Sequence, residues 1–382
     1  LVARINEAVD RVQGETVERL QELVRIPSVT GEEHDVQQAV ARQMAELGLE
    51  VDQWEPDVDQ LAEFAEDVGT FDSLAGRPNV VGKLPGNGSG RSLILNAHID
   101  TVEPGERSQW SHDPFAAEVV DGRMYGRGTC DMKAGLVAEL IALRAVQSLG
   151  IEPAGDLIIQ SVISEEDGGA GALATILRGY SADAAIITEP TELAIITAHG
   201  GSLVFRMHIT GRSAHAAVRN EGVSALEKFI PIHQAILDHE MEHHRAITHP
   251  LFADFVNRAP INIGVVQGGN WASSVPESLI VEGRAGLVPG ETLEQTRTAL
   301  LAVIDAVEPD DPWLREHPPL VEWFSGQFTA SETPIDSPIV QVLTDAVAQT
   351  SGVTPPYKAA TYGADMRHYV NIGNMPCVMY GA

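Results

Sequence analysis

The chain has 382 residues, 44% hydrophobic and 21% charged, a balance typical of globular protein with room for two cores. Its 54 acidic against 25 basic residues give a net charge of −29, which argues against nucleic acid or anionic membrane as partners, since both call for basic patches. No apolar stretch approaches the ~20 residues of a membrane span, no leader pattern is visible, and two cysteines (Cys130, Cys377) are too few for a disulfide framework, so a reducing cytoplasm is the expected setting.

Residues 1–25 carry helical periodicity, with Val17, Leu20, Leu23 and Val24 on one face and Ile26-Pro27 as the stop. A second helix is predicted over 33–47, with Gly48 as its C-terminal cap, and then a strand over 50–54. Residues 55–77 are acidic and weakly patterned, which suggests a surface excursion. Apolar runs at 80–84 and 93–95 flank PGNGSG and predict a hairpin; that turn lacks the Gly-Lys-Ser/Thr ending of a phosphate loop. A helix over 134–149, a strand over 157–163, a helix over 172–177 and a strand over 184–187 follow, with polar residues where the strands stop.

The rhythm changes near Ala198. Strands over 203–209, 261–266, 279–287 and 320–324 alternate with helices over 223–244 and 292–307 in a split, ferredoxin-like order. Residues 198–320 are therefore predicted to form an inserted α+β domain, while 1–197 and 321–382 form one discontinuous α/β domain around a mixed sheet with helices on both faces. A helix over 338–350 and a strand over 376–380 complete that domain.

The chemistry concentrates where strands end. The run Leu93 to Leu95 leads into His98-Ile99-Asp100, and a period of two places His98 and Asp100 on one face. A carboxylate two residues from an imidazole can fix its tautomer and leave the other ring nitrogen for a metal. Asp131 follows a turn punctuated by Gly126 and Gly128, Glu165-Glu166 ends the strand over 157–163, and Glu189 ends the next. Ligands of open α/β sheets bind at such carboxyl ends. Taken alone, His-x-Asp is an ordinary polar strand end and Glu165-Glu166 an ordinary solvated loop. Together, at the carboxyl ends of neighbouring strands, they mark a candidate ligand site.

The stretches AHIDTV, YGRGTCDMKAG, SEED, TEP, GRSAHAA, SSVPESLIVEGRAG and GADMRH occur in order across nearly the whole chain. Together they resemble the zinc-dependent amidohydrolases that include acetylornithine deacetylase, succinyl-diaminopimelate desuccinylase, aminoacylase and glutamate carboxypeptidase. The resemblance implies two Zn2+ ions per subunit, with Co2+ or Mn2+ as substitutes, and an inserted domain that acts as lid and dimerises. It implies that His98 and Glu189 hold one ion, Asp131 bridges both, and Glu166 holds the second. Asp100 would orient His98, Glu165 would be the general base, and the peptide bond after Asp131 would be cis. His215 of GRSAHAA would reach the partner subunit's site and stabilise the oxyanion. Arg284 and Arg367 would grip a substrate carboxylate, a task suited to a guanidinium fork. The family's second zinc takes a further His from a C-terminal glycine-rich segment; His368 does not match that position, and the natural chain is expected to supply this His beyond Ala382.

The expected activity is thus hydrolysis of an N-acyl amino acid, a small-molecule amide with a free carboxylate, by a homodimer. Carboxypeptidase or dipeptidase action is the alternative within the family. His239-Glu240-Met241-Glu242-His243 also spells H-E-x-x-H, the zincin protease motif, but it lacks that family's extension and is read as a solvated helix face. A noncatalytic relative that lost the second metal is the remaining alternative.

Overall fold

Branched apolar residues from Leu93 onward open a central strand in the computed structural model, which describes residues 1–382. In chain order the first strands are β1 (Glu50–Trp54), β2 (Asn79–Leu84), β3 (Leu93–His98), β4 (Glu118–Val120) and β5 (Arg123–Tyr125). Next come β6 (Leu157–Val162), β7 (Ala184–Ile187), β8 (Ile195–His199), β9 (Gly201–Thr210) and β10 (Ile261–Gly268). The last are β11 (Ser278–Leu287), β12 (Leu320–Trp323), β13 (Ser331–Glu332), β14 (Tyr357–Ala360) and β15 (Cys377–Met379). The chain divides into two units: Leu1–Ala198 with Glu332–Lys358 and Ala364–Ala382, and His199–Ser331 with Ala359–Gly363.

The first unit is built on a mixed sheet in the order β1-β2-β6-β3-β7-β15-β8. The pairs β3–β6, β3–β7 and β15–β7 are parallel, so three strands that carry site residues or border them point the same way. Ile94 and Ala97 of β3, Ile158, Ile159 and Val162 of β6 and Ile187 of β7 are buried, as expected for strands covered on both sides. The helix Ala134–Ser148 packs on β3 and β6, His34–Glu46 on β1 and β2, and Pro338–Ser351 on β15. The long helix predicted over 1–25 is two, Val2–Arg11 and Gln13–Arg25. Val12 leaves helical geometry just before Gly14, a poor helix former.

The hairpin predicted around PGNGSG does not form. β2 pairs with β6 antiparallel, and β6 lies between β2 and β3. The backbone N–H groups of Asn87, Gly88, Ser89 and Gly90 donate instead to the carbonyls of Pro153 and Ala154, just ahead of β6. The turn is therefore folded over the start of another strand. Gly86, Gly90 and Gly155 pack backbone to backbone there, and a Cβ on Gly155 would strike the Arg91 carbonyl. Glycines that read as a tight turn in sequence serve a close crossing. Neighbouring strands in sequence pair only as a default, and eight residues suffice to step across one strand.

In the second unit β10-β11-β9-β12 form an antiparallel sheet. With the helices Ala225–Ala246 and Leu293–Asp305 between strands, this is the split order of a ferredoxin-like fold. Leu203, Phe205, Met207 and Ile209 alternate inward along β9 and meet Phe229, Ile232 and Ile236 of the first helix and Leu300 and Ile304 of the second. Ser224 caps the first helix by accepting from the Glu227 N–H, and Thr292 and Gln295 form a capping box on the second.

The two environments of glycine predict opposite signs. Gly155→Ala should destabilise the protein by about 1–3 kcal/mol, because backbone must move to admit the methyl group. Gly14→Ala, in a helix with no atom near the new Cβ, should stabilise by about 0.4–1 kcal/mol. Denaturant melts of both variants check the pair; equal shifts would contradict the close crossing.

Candidate metal centre and active site

β3 delivers His98 at its last residue, buried at 2% exposure. Its backbone N–H points at the Met132 sulfur, 3.2 Å away, so the turn bearing Asp131 lies beside the strand end. His98 Nδ1 lies 2.9 Å from the Asp100 carbonyl oxygen, which can only accept, so Nδ1 carries the proton. Nε2 is left for a partner. It lies 3.0 Å from Asp131 Oδ1 and 3.6 Å from Glu189 Oε1. Ligand atoms of His98, Asp131 and Glu166 all fall within 4.8 Å of one another. The Asp131–Met132 bond is cis.

Asp100 does more than face His98. Its carboxylate is fully buried, 3.6 Å from Nδ1, and accepts from the backbone N–H groups of Glu165 (3.1 Å) and Glu166 (3.2 Å) and from Thr30 Oγ1 (3.1 Å). Tautomer control therefore comes from its backbone carbonyl, while its side chain holds the loop that bears the two glutamates. Burial would raise its pKa, but the bonds to His98 and the two N–H groups lower it below the usual carboxylate value.

The turn after Asp131 is anchored by Lys133, whose Nζ donates to the carbonyls of Leu23 (2.9 Å) and Ile26 (3.0 Å). Burial lowers that ammonium to about 7. On the other side, Arg77 forks onto Glu33 at 2.9 and 2.7 Å and lies 3.9 Å from Asp167, beside the two glutamates. None of Thr30, Lys133, Glu33 or Arg77 was legible as a site residue. Asp365, within GADMRH, is a further one. It is buried with no hydrogen-bond partner on either carboxylate oxygen.

The electrostatics ask for a cation. Burial, together with Asp131, Asp365 and Glu166, pushes Glu189 up to about 8 despite His98. Burial raises Asp365 to about 6 and also lifts Glu165 and Glu166. Burial would lower His98, yet Glu189, Asp100 and Asp131 raise it well above its usual value. One imidazole and several carboxylates, crowded and short of positive charge, form the N/O donor set of a borderline dication such as zinc. The residues present fit such an ion.

Arg367 is a correction: it is 1% exposed, and both terminal nitrogens of its fork donate to the carbonyls of Ala364, Asp67 and Gly168 rather than standing open to a carboxylate. Arg284 lies in β11 of the second unit, half-buried, with Nε lacking a partner. His215 is exposed in that unit; its Nδ1 accepts from Ala217 N–H, which leaves Nε2–H as a donor. The H-E-x-x-H stretch is not a solvated face. Glu240 accepts from Asn257 and the Ile261 N–H, both at 2.7 Å, and His243 Nε2 meets Glu291 at 2.6 Å, so the motif ties its helix to β10 and to the turn after β11.

Two predictions follow from these contacts. Asp100→Asn turns an amide N–H2 toward N–H donors, so metal affinity should fall about 10–100-fold in chelator competition; unchanged affinity would mean the loop is held by other contacts. His239→Ala with His243→Ala should leave metal content intact, measured by elemental analysis of the folded protein, and a zinc-depleted double variant would move the site to that helix.

Residues 94–382 match the model of peptidase family M20/M25/M40. The chain is 31% identical over 368 residues to N-formyl-4-amino-5-aminomethyl-2-methylpyrimidine deformylase of Bacillus subtilis (strain 168), covering 91% of this chain and 81% of that one. It is 32% identical over 238 residues to acetylornithine deacetylase of Proteus mirabilis (strain HI4320), covering 60% and 58%. In fold it resembles the di-peptidase Dug1p of Saccharomyces cerevisiae, with a TM-score of 0.78 at 14% identity over 100% of this chain and 91% of the other. The chain belongs to peptidase family M20/M25/M40 and is a metal-dependent hydrolase of amide bonds.

Proposed function

We propose that the protein is a dinuclear zinc deacylase that cleaves the amide of an N-acyl amino acid. The observation that carries this reading is the convergence of His98, Asp131 and Glu166 within 4.8 Å at strand ends, with buried Glu189 facing the same His98 nitrogen. His98 and Glu189 would hold one ion, Asp131 would bridge, and Glu166 would hold the other. Bound zinc would supply Lewis-acid polarisation of the amide carbonyl, a lowered pKa for the attacking water and the positive charge that counters the crowded carboxylates.

The protein's own groups do the rest. Glu165 takes the proton of the attacking water on its carboxylate and returns it to the leaving nitrogen. Asp100 fixes the backbone N–H groups of Glu165 and Glu166 and so aims both side chains. His215 presents Nε2–H to the developing oxyanion in the partner subunit's site, and the second domain, 198–320, acts as lid and pairing surface of a homodimer. Arg284, half-buried with Nε unpartnered, is the carboxylate clamp. Two free thiols, Cys130 exposed and Cys377 buried, suit a reducing cytoplasm.

A second reading is removal of a formyl group from an amine on a neutral heterocycle, the activity in the name of the Bacillus relative. The burial of Arg367 favours it, because one of two expected carboxylate clamps is withdrawn into the interior.

Glu165→Gln should keep its metal and lose about 10²–10⁴-fold in kcat, since the base goes and the ligands stay. Near-normal turnover would remove Glu165 from the mechanism. On the same preparation, an N-acetyl amino acid, its carboxamide and an N-formyl aminomethylpyrimidine separate the substrate readings. At least tenfold preference for the acid, reduced in Arg284→Ala, supports the clamp; preference for the formyl compound, with acid and carboxamide equal, supports the second reading.

A further inference from the structure

The loop that carries Glu165 and Glu166 is held at both ends. Asp100 binds its first two N–H groups, and the far end closes at Gly168, whose carbonyl accepts from Arg367 at 2.6 Å. The same guanidinium nitrogen reaches the Asp67 carbonyl at 3.4 Å, and its neighbour reaches Ala364 at 3.2 Å. One side chain thus ties three segments: the acidic excursion, the glutamate loop and the GADMRH turn. The glycines of the loop record how closely these segments approach. Gly168 has φ +140° and a Cβ there would strike the Val68 carbonyl; on Gly169, φ +78°, it would strike Asp365 and His368.

Burying a guanidinium is costly unless its donors are bonded and acids lie near. Here carbonyls take donors from both terminal nitrogens, and Asp365, Glu165 and Asp67 supply the negative field. A planar fork with five donors can span several carbonyls at once, which an ammonium cannot match in geometry. A substrate carboxylate would have to break those bonds to reach a side chain 1% exposed.

We propose that Arg367 is a positioning residue that sets the placement of Glu165 by locking the Gly168 carbonyl to the excursion and to the C-terminal turn. Its catalytic consequence rests on the reading of Glu165 as base. A misplacement of about 1 Å in a catalytic group can cost on the order of 10²-fold in rate.

Arg367→Lys and Arg367→Gln, each loaded with zinc, test it by kinetics on the acid and carboxamide forms of one N-acetyl amino acid and by amide hydrogen exchange. Expected are a kcat lower by about 10–100-fold and equal on both forms, KM within twofold, unchanged metal content and faster exchange confined to residues 165–169. Lys should recover part of the loss. A KM increase confined to the acid form would make Arg367 a substrate contact and overturn the proposal, as would unchanged exchange in that loop. Should neither variant fold, Gly168→Ala disturbs the same joint from the other side; normal kcat and normal exchange there overturn the proposal. Glu165→Gln run in parallel separates the two ideas: if it keeps turnover while the Arg367 variants loosen the loop, the base assignment fails and the lock stands.

Discussion

The site depends on one buried carboxylate. Asp100 accepts two backbone N–H groups and a hydroxyl from the segments around it, and its own carbonyl fixes the His98 proton. A carboxylate without water is stable only if its lone pairs are bonded, so Asp100 enforces the meeting of β3, the Thr30 segment and the loop after β6. Parallel strands β3, β6 and β7 carry His98, the two glutamates and Glu189 to the same edge of the sheet. Asp100 converts that coarse convergence into ångström-scale placement.

Around this hub the chain gathers like charges at a cost in stability. Glu189 at about 8 and Asp365 at about 6 are carboxyls held away from their ordinary range, chiefly by burial and then by their neighbours. Cations are present but spent on structure. Arg77 is committed to Glu33, Lys133 to two helix-end carbonyls, and Arg367 to three carbonyls. The carboxylates gathered at the site outnumber the cationic groups beside them, His98 and Arg367, the pattern of a functional centre.

Much of this was readable from residue order. Apolar runs ending in His98, Glu165-Glu166 and Glu189 declare strands with polar tips, and the inserted strand-helix rhythm declares the ferredoxin-like unit. What sequence could not supply was long-range partnership. PGNGSG reads as a hairpin because local rules favour pairing neighbours, whereas its glycines are needed at a crossing with Gly155. Arg367 reads as a substrate fork because the motif gives residue type but not burial, and its partners Asp67 and Gly168 lie 300 and 199 residues away. Lys133, Arg77 and Thr30 are illegible in sequence for the same reason: each acts on a backbone or side chain remote along the chain. The H-E-x-x-H stretch shows the converse, a motif complete in letters whose Glu240 and His243 are occupied by tertiary ties.

The most direct measurement is crystallographic: anomalous scattering recorded on either side of the zinc absorption edge from zinc-loaded protein. Zinc density is expected within bonding reach of His98 Nε2, Asp131, Glu166 and Glu189, at the carboxyl ends of β3, β6 and β7. An empty strand edge, or zinc found only beside His239 and His243, would contradict it.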